Sequence, residues 1–179
     1  MANPYRLQSR RDVYRSRWLY LREDQVVRPD GGGATFGVIE MKAGSSVLAV
    51  NERREVYLVK EYKYGVERYS TELISGAIED GETPLGAAQR ELREEAGLSA
   101  REWIELGVID PFTTIVRSPN FLFLALNVEA GESNPDDGEV LECVLVPFEE
   151  AVKMVMRSEI THGASCVAIL KAARYFDNR

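Results

Sequence analysis

One segment of this 179-residue chain specifies a helix at both of its ends. Thr83 suits the N-cap, Pro84 suits the first helical position, and Gly97 suits the left-handed residue that follows a helix. Between these signals an apolar stripe recurs at three- and four-residue spacing, formed by Leu85, Ala88, Leu92 and Ala96. The segment therefore predicts a helix over residues 84–96 that packs on a core along this stripe.

The same helix carries an acidic face beside its apolar stripe. Glu91 and Glu95 lie four residues apart on one side, with Glu94 next to them. Like charges at this spacing destabilise an isolated helix by roughly 0.2–0.5 kcal/mol per pair. A divalent cation would offset the repulsion, because carboxylate oxygens are ligands that Mg²⁺ prefers. A solvated acidic face paired with Arg90 and Arg93 is the alternative, and the spacing alone leaves both open.

Strand-like and helical segments alternate along the rest of the chain. Strands are predicted at residues 18–28, 36–41, 47–50, 56–60, 70–74, 105–110, 121–128 and 140–146. Further helices are predicted at residues 148–157 and at about 163–175. This order predicts helices packed on a mixed sheet, in an α/β or α+β fold that periodicity does not separate. A boundary near residue 45 divides an N-terminal β-hairpin region, residues 1–45, from a second domain, residues 46–179.

The composition excludes several classes of protein. Hydrophobic residues make up 45% of the chain and charged residues 28%, a balance typical of globular proteins. The net charge of −7 argues against binding to a nucleic-acid backbone. The apolar runs are shorter than the roughly 20 residues that span a bilayer. Two cysteines do not suffice for a disulfide framework, which indicates a reducing compartment. The sequence therefore predicts a cytoplasmic protein without a membrane or nucleic-acid partner.

The fixed positions around the helix resemble the Nudix box. The matching positions are Gly76, Glu82, Arg90-Glu91-Leu92, Glu94-Glu95 and Gly97-Leu98. Residues 56–63 and 71–76 also resemble the strands that precede the box in the ADP-ribose pyrophosphatase branch of the family. The resemblance covers about residues 46–175 and implies an α/β/α sandwich.

The resemblance also implies a metal-dependent pyrophosphohydrolase that uses Mg²⁺ or Mn²⁺. The implied metal ligands are the Ser75 carbonyl and the side chains of Glu91, Glu94 and Glu95. Arg90 would hold these carboxylates in place through Glu82. The first choice for the general base is Glu139, in the acidic loop at residues 129–139, and Glu94 is the alternative. Glu139 could instead be a solvated loop carboxylate.

The implied substrate is a nucleoside diphosphate linked to another group, with ADP-ribose giving AMP and ribose 5-phosphate as the first choice. A GDP-sugar, a dinucleoside polyphosphate and a flavin nucleotide are alternatives, as is a Nudix module that binds a nucleotide without cleaving it. The expected substrate contacts are Lys63, Arg68, Trp18 and Gly76. Three features depart from the branch: Lys63 replaces an arginine, Ile74 replaces a proline, and residues 110–114 match a Ser-Pro-Gly segment only partly. Lysine lacks the bidentate fork of arginine, so the terminal group of the substrate stays open.

The branch also implies a homodimer in which N-terminal strands reach the partner. Residues 5–41 include Trp18 and Tyr20, which offer an aromatic face for stacking on a base. Ordinary packing of an added hairpin is the alternative. His162 and Cys166 are four residues apart, but they fit the start of the terminal helix better than a nucleophile pair, because no third group is available to orient them.

Overall fold

A computed structural model describes residues 2–131 and 141–178. The chain divides into two compact units. Unit 1 contains Met1–Ala43 and Asp110–Pro119, and unit 2 contains Gly44–Ile109 and Asn120–Arg179. Residues 110–119 therefore group with the N-terminal residues, although they lie in the middle of the sequence.

The described residues form strands and helices with the following bounds. The strands are β1 Arg6–Arg15, β2 Leu19–Val27, β3 Gly33–Met41, β4 Gly44–Val50, β5 Glu55–Lys63, β6 Arg68–Glu72, β7 Ile74–Ala77, β8 Leu98–Ile109, β9 Val116–Arg117, β10 Asn120–Ala130 and β11 Glu142–Pro147. The helices are α1 Pro84–Ala96, α2 Phe148–Met156 and α3 Gly163–Asp177, and a 3₁₀ turn at Tyr64–Val66 joins β5 to β6. None of the helices in this part of the chain is long and apolar enough to cross a membrane.

Unit 1 is a four-stranded sheet in the order β1-β2-β3-β9. Its first three strands are antiparallel, and β9 adds in parallel to β3. Inside the sheet, Asp24 is buried and accepts two hydrogen bonds from Arg10, at 2.7 and 2.9 Å, and one from Arg22 at 3.2 Å. All ten residues of β1, which lies at the edge of the sheet, are exposed.

Unit 2 is built on a mixed sheet in the order β11-β5-β4-β10-β8. The neighbours β4 and β10 run parallel, and the other pairs are antiparallel. Two short strands extend the sheet, because β6 pairs with β5 and β7 pairs with β4. The parallel pair is the feature that distinguishes this sheet from a simple meander.

Helices cover both faces of this sheet. Alternate residues of β4 point to opposite faces, so Val47 and Ala49 join one core cluster while Leu48 and Val50 join the other. The first cluster contains Ala88 and Leu92 of α1, and the second contains the buried apolar residues of α2 and α3. Unit 2 is therefore an α/β/α sandwich, which confirms the predicted fold class.

The predicted and observed elements differ mainly in the strands. Helix α1 has the predicted bounds, while β1 and β9 were not predicted. Strand β1 escapes prediction because both of its faces are exposed, which leaves no alternation of apolar and polar residues. The segment at residues 70–74, predicted as one strand, is divided at Leu73. Its first part belongs to β6, which pairs with β5, and its last residue belongs to β7, which pairs with β4. Strand β8 starts at Leu98, earlier than predicted, because its first half pairs with the end of β10.

Candidate active site

Local signals place the acidic face of α1 next to the end of β7. The Thr83 hydroxyl accepts a hydrogen bond from the Gly86 amide at 3.0 Å, which caps the helix. Gly97 ends it with φ 64° and ψ 30°. The buried residues Ala88 and Leu92 fix the rotation of the helix about its axis. As a result, the acidic side chains at residues 91, 94 and 95 lie to one side of the buried stripe.

Arg90 is the hub of this site. Its guanidinium binds both carboxylate oxygens of Glu82, with Nε–Oε1 at 3.1 Å and Nη2–Oε2 at 3.2 Å. Nη2 also donates to the Ala77 carbonyl at 2.9 Å. Nη1 donates to Glu91 at 2.6 Å and to Glu94 at 2.8 Å. One side chain therefore ties the loop that precedes α1 to two carboxylates on the helix.

These bonds shift the pKa values of the groups that make them. The hydrogen bond with Glu82 is the largest cause of the raised pKa of Arg90, and those with Glu94 and Glu91 add to it. In return, Arg90 lowers the pKa of Glu82, and the backbone N–H of Glu79 lowers it further. The loop carboxylate is therefore ionised at neutral pH.

Gly76 lies against the carboxylate of Glu91. A Cβ atom added at Gly76 would fall 1.9 Å from Glu91 Oε1 and 2.7 Å from Oε2. These distances are far inside van der Waals contact, so any side chain at residue 76 would displace the carboxylate. The glycine of the box therefore makes space for an acidic group and is not explained by its backbone angles.

Lys63 brings a positive charge to the end of β5. Burial alone would lower the pKa of Lys63. Its hydrogen bond to Glu61, with the charges of Glu72 and Glu95, outweighs burial and raises this pKa above 10.5. The charge of Glu95 also contributes to the raised pKa of the Cys143 thiol, although burial is the larger cause. Lys63 is therefore positively charged at neutral pH, and its charge interacts with that of Glu95 on α1.

The oxygen donors of the site fit a hard divalent cation. Across residues 2–131 and 141–178, no three His, Cys, Asp or Glu side chains converge closely enough to hold a metal by themselves. Mg²⁺ does not require such a cluster, because it keeps several waters and is commonly bound by one or two carboxylates and substrate phosphates. Glu91, with the space provided by Gly76, and the neighbouring Glu94 supply donors of this kind.

The remaining predicted residues lie at different places. Ser75 is half-buried in β7, where it pairs with Ser46 of β4. Arg68 is exposed and donates to the Thr161 hydroxyl at 2.8 Å. Trp18 belongs to unit 1, is 61% exposed and has the Arg17 guanidinium over its ring. Glu139, the first choice for the general base, lies outside the described residues.

Sequence reasoning missed a polar cluster beside Lys63. Glu72 is 9% exposed, and its carboxylate lies 3.4 Å from His162 Nδ1. His162 Nδ1 is also 2.9 Å from the hydroxyl of the buried Ser165. The sequence offered one signal for this cluster: a charged residue, Glu72, directly before two apolar residues in a segment predicted as a strand. Cys166 donates its thiol hydrogen to the Ile160 carbonyl, so it forms no pair with His162.

Two family models match the chain. Residues 41–163 match the NUDIX domain, and residues 6–39 match the nucleoside diphosphate sugar hydrolase N-terminal domain. The first match covers more than half of the chain and includes Gly76 and all of α1.

Known proteins resemble the chain over most of its length. An ADP-ribose pyrophosphatase of Bacillus subtilis (strain 168) is 27% identical over 169 residues, covering 90% of this chain and 88% of that protein. An ADP-ribose pyrophosphatase of Mycobacterium tuberculosis (strain ATCC 25618 / H37Rv) is 31% identical over 153 residues, covering 84% and 74%. A crystal structure described as an ADP compounds hydrolase has the same fold, with a TM-score of 0.87 at 20% identity over 99% of this chain and 97% of that one. The chain therefore belongs to the Nudix family and is a Nudix pyrophosphohydrolase.

Proposed function

We propose that the protein hydrolyses a nucleoside diphosphate linked to another group, with ADP-ribose cleaved to AMP and ribose 5-phosphate as the first choice. The observation that carries the proposal is the Arg90 hub, which gathers three carboxylates around one guanidinium next to Gly76. The substrate class is supported by the two relatives that are named ADP-ribose pyrophosphatases.

The proposed cofactor is Mg²⁺, with Mn²⁺ as the alternative. Glu91, Glu94, Glu95 and the Ser75 carbonyl would hold it. When bound, the metal would neutralise phosphate charge and lower the pKa of a coordinated water. Arg90 keeps two of these carboxylates at fixed positions, and Gly76 leaves the space that Glu91 occupies.

The proposed reaction is a substitution at phosphorus. The oxygen of a water forms a bond to one phosphorus atom while the bond from that phosphorus to the bridging oxygen breaks, and the bridging oxygen leaves on the other phosphate. A general base accepts the proton of the water. Glu94 and Glu139 are the two candidates for this base. The support for Glu94 is its place in the site, where one of its carboxylate oxygens lies 2.8 Å from Arg90 Nη1.

The proposed substrate contacts are Lys63 and Arg68 for anionic groups and Trp18 for the base. Lys63 and Arg68 are cross-strand partners at the end of the β5–β6 pair. Like charges directly opposite each other in a sheet are destabilising. An anionic substrate would relieve that repulsion, which supports a phosphate group at this position. Because the charge of Lys63 is a point charge, we keep GDP-sugars, dinucleoside polyphosphates and flavin nucleotides as alternatives.

A substrate panel tests the proposal. Purified protein is incubated with Mg²⁺ and, separately, ADP-ribose, GDP-mannose, FAD and a diadenosine polyphosphate, and the products are separated by chromatography. We expect ADP-ribose to be cleaved fastest, with AMP and ribose 5-phosphate as products, and EDTA to stop the reaction. Glu95→Gln should lower kcat by about a thousandfold or more if the carboxylate holds the metal, whereas Glu52→Gln, an exposed control, should not change it.

The outcomes separate the alternatives. Cleavage of another compound in the panel would retain the chemistry and change the substrate. A folded, Mg²⁺-loaded protein that is stabilised by ADP-ribose without forming any product would favour a nucleotide-binding module. Comparison of Glu94→Gln with Glu139→Gln in the same assay identifies the base, because the loss of kcat should be larger for the residue that accepts the proton.

We also propose that the protein is a homodimer. The support comes from β1, an edge strand of ten exposed residues that include Leu7, Val13 and Tyr14. Edge strands of this length are usually covered or interrupted, because their free backbone groups pair with other chains. A second copy would cover it. The match of residues 6–39 to an N-terminal family domain supports a specific role for this segment.

A further inference from the structure

The pairing of β5 with β6 brings charged residues to one face of the sheet. Alternate residues of a strand point to the same face, and cross-strand partners share it. The residues of β5 on this face are Val59, Glu61 and Lys63, and their partners on β6 are Glu72, Ser70 and Arg68 respectively. Glu61 and Glu72 are thus diagonal neighbours, a relation that places side chains roughly 7–8 Å apart in a sheet.

The side chain of Lys63 contacts Glu61 on the same face of the sheet as Glu72. Its ammonium forms an ion pair with Glu61, two residues earlier in the strand. The next pair along this face is Val59–Glu72, and the charge of Glu72 raises the pKa of Lys63. The ammonium therefore shares one face of the sheet with both diagonal carboxylates and is paired with the first of them.

Glu72 is held in place by the start of α3. Its Oε2 atom lies 3.4 Å from His162 Nδ1, and the same nitrogen lies 2.9 Å from Ser165 Oγ. Ser165 Oγ in turn accepts the backbone N–H of Leu73 at 2.9 Å. Nδ1 lies between the carboxylate and the hydroxyl, so the imidazole connects β6 to α3.

The cation that interacts with Glu72 is Lys63 rather than His162. Burial lowers the pKa of His162 from 6.5, and the charge of Lys63 lowers it further, although Glu72 opposes both effects. A neutral imidazole can orient a carboxylate by a hydrogen bond but does not neutralise it. A buried carboxylate needs a compensating charge, and the charges of Glu72 and Lys63 interact, since Glu72 raises the pKa of Lys63.

We propose that Glu72, oriented by His162 and Ser165, is a positioning residue that keeps the Lys63 ammonium in place to bind the phosphate groups of the substrate. The inference rests on the proposed function, in which Lys63 contacts substrate. A lysine carries a point charge on a flexible stem, so its position depends on the anions around it. Glu61 and Glu72 would provide two anchors, with the second fixed by a helix from the far end of the chain.

Steady-state kinetics with ADP-ribose and Mg²⁺ test the inference. Glu72→Gln keeps the size of the side chain and an acceptor for His162 but removes the charge. We expect it to raise KM about tenfold while kcat stays within about threefold, because binding is lost more than transition-state stabilisation. The exposed control Glu52→Gln should leave both constants unchanged. A Glu72→Gln variant with wild-type KM would overturn the inference.

A double variant tests whether Glu72 acts through Lys63. We expect Lys63→Ala to raise KM at least as much as Glu72→Gln does. If the two residues form one unit, adding Glu72→Gln to Lys63→Ala changes KM by less than about twofold. Multiplication of the two single effects would show that Glu72 acts independently of Lys63, contrary to the proposal.

The role of His162 is tested by a pair of variants. The Asn side chain can donate a hydrogen bond to Glu72, while the Ala side chain cannot. We expect His162→Ala to raise KM in the same way as Glu72→Gln and His162→Asn to restore it toward the wild-type value. Equal KM values for both variants and the wild type would remove His162 from the proposal, and circular dichroism of each variant verifies that it is folded.

Chemical labelling gives a readout that needs no turnover. An amine-reactive acylating reagent is applied at a fixed alkaline pH without substrate, and modification of Lys63 is followed by peptide mass spectrometry. Because the Glu72 charge raises the Lys63 pKa, Glu72→Gln should increase the labelling rate of Lys63 several-fold and leave that of Lys153 unchanged. Unchanged labelling of Lys63 would refute the pairing. A wild-type protein that does not cleave ADP-ribose but shows this change would refute the proposed substrate and retain the pairing.

Discussion

At the residue scale, Gly76 controls the distance between a strand backbone and a carboxylate. Glycine is often explained by the backbone angles that it permits. Here the explanation is space, because the Glu91 carboxylate occupies the volume that a Cβ atom would fill. The atoms in conflict are at the flexible end of a side chain, so a larger residue would move the carboxylate before it strained the fold.

Gly76→Ala should therefore reduce activity more than stability. We expect kcat to fall by about a hundredfold, since misplacement of a reacting group by about 1 Å can cost that much. The melting temperature should stay close to that of the wild type. Gly37→Ala is the matched control, because a Cβ at Gly37 meets no atom within 4 Å. Full activity of Gly76→Ala would mean that the position of Glu91 does not matter for the reaction.

At the scale of the element, α1 and its preceding loop form one electrostatic unit. Glu82 lies before the helix and Arg90 lies two turns into it, and their bidentate ion pair joins the two segments. The backbone N–H of Glu79 also donates to Glu82 at 3.0 Å, which closes the loop. The capped helix is thus connected to its loop by a charge pair as well as by the chain.

The ion pair predicts a pH dependence of stability. The pKa of Glu82 is lower in the folded protein than its ordinary value of 4.5. Its charge therefore stabilises the fold above pH 4.5, and this contribution disappears as the pH falls below 4.5. We expect Glu82→Gln to lower stability by about 1 kcal/mol at pH 7, after allowance for solvent screening.

Thermal unfolding at several pH values measures this effect. The difference in melting temperature between the wild type and Glu82→Gln should shrink on acidification below pH 4.5. Thr83→Ala serves as the control, because the loss of the N-cap costs about 1 kcal/mol without involving a titrating group. A difference for Glu82→Gln that does not depend on pH would contradict the assigned role of its charge.

At the scale of the whole molecule, unit 1 ends in the edge strand β1, whose ten residues are all exposed among the residues that the structure describes. The proposed homodimer predicts a mass in solution of twice the 20.1 kDa of one chain, measured by size-exclusion chromatography with light scattering. A charge placed on β1 by Val13→Glu should shift the protein toward the monomer, because an apolar contact would be replaced by a buried charge.

The control for this experiment is Met156→Glu. Met156 is 72% exposed and lies on α2 in unit 2. The substitution adds the same charge outside β1, and the mass should stay that of the dimer. A monomeric wild-type protein would exclude the proposal, and a dimer that is unaffected by Val13→Glu would exclude β1 as the contact.

The sequence by itself determined the features that depend on short-range chemistry. The bounds of α1 followed from Thr83, Pro84 and Gly97, because capping depends on the backbone preferences of the residues at the ends. The acidic face followed from helical spacing. The alternation of strands and helices limited the fold to α/β or α+β, and the resemblance to the Nudix box selected the α/β/α sandwich. The resemblance of residues 76–98 to the Nudix box identified the residues that the structure gathers around Arg90.

Only the tertiary structure decided which distant residues meet. Leu73 and Ser165 are 92 residues apart and share a hydrogen bond, and the nearby Glu72 and His162 lie 3.4 Å from each other. No periodicity encodes such a pair, because it depends on the packing of α3 against the sheet. The same is true of Gly76, whose lack of a side chain is explained by the position of Glu91. Short-range preferences fix the elements, and the core that packs them together fixes the contacts between their ends.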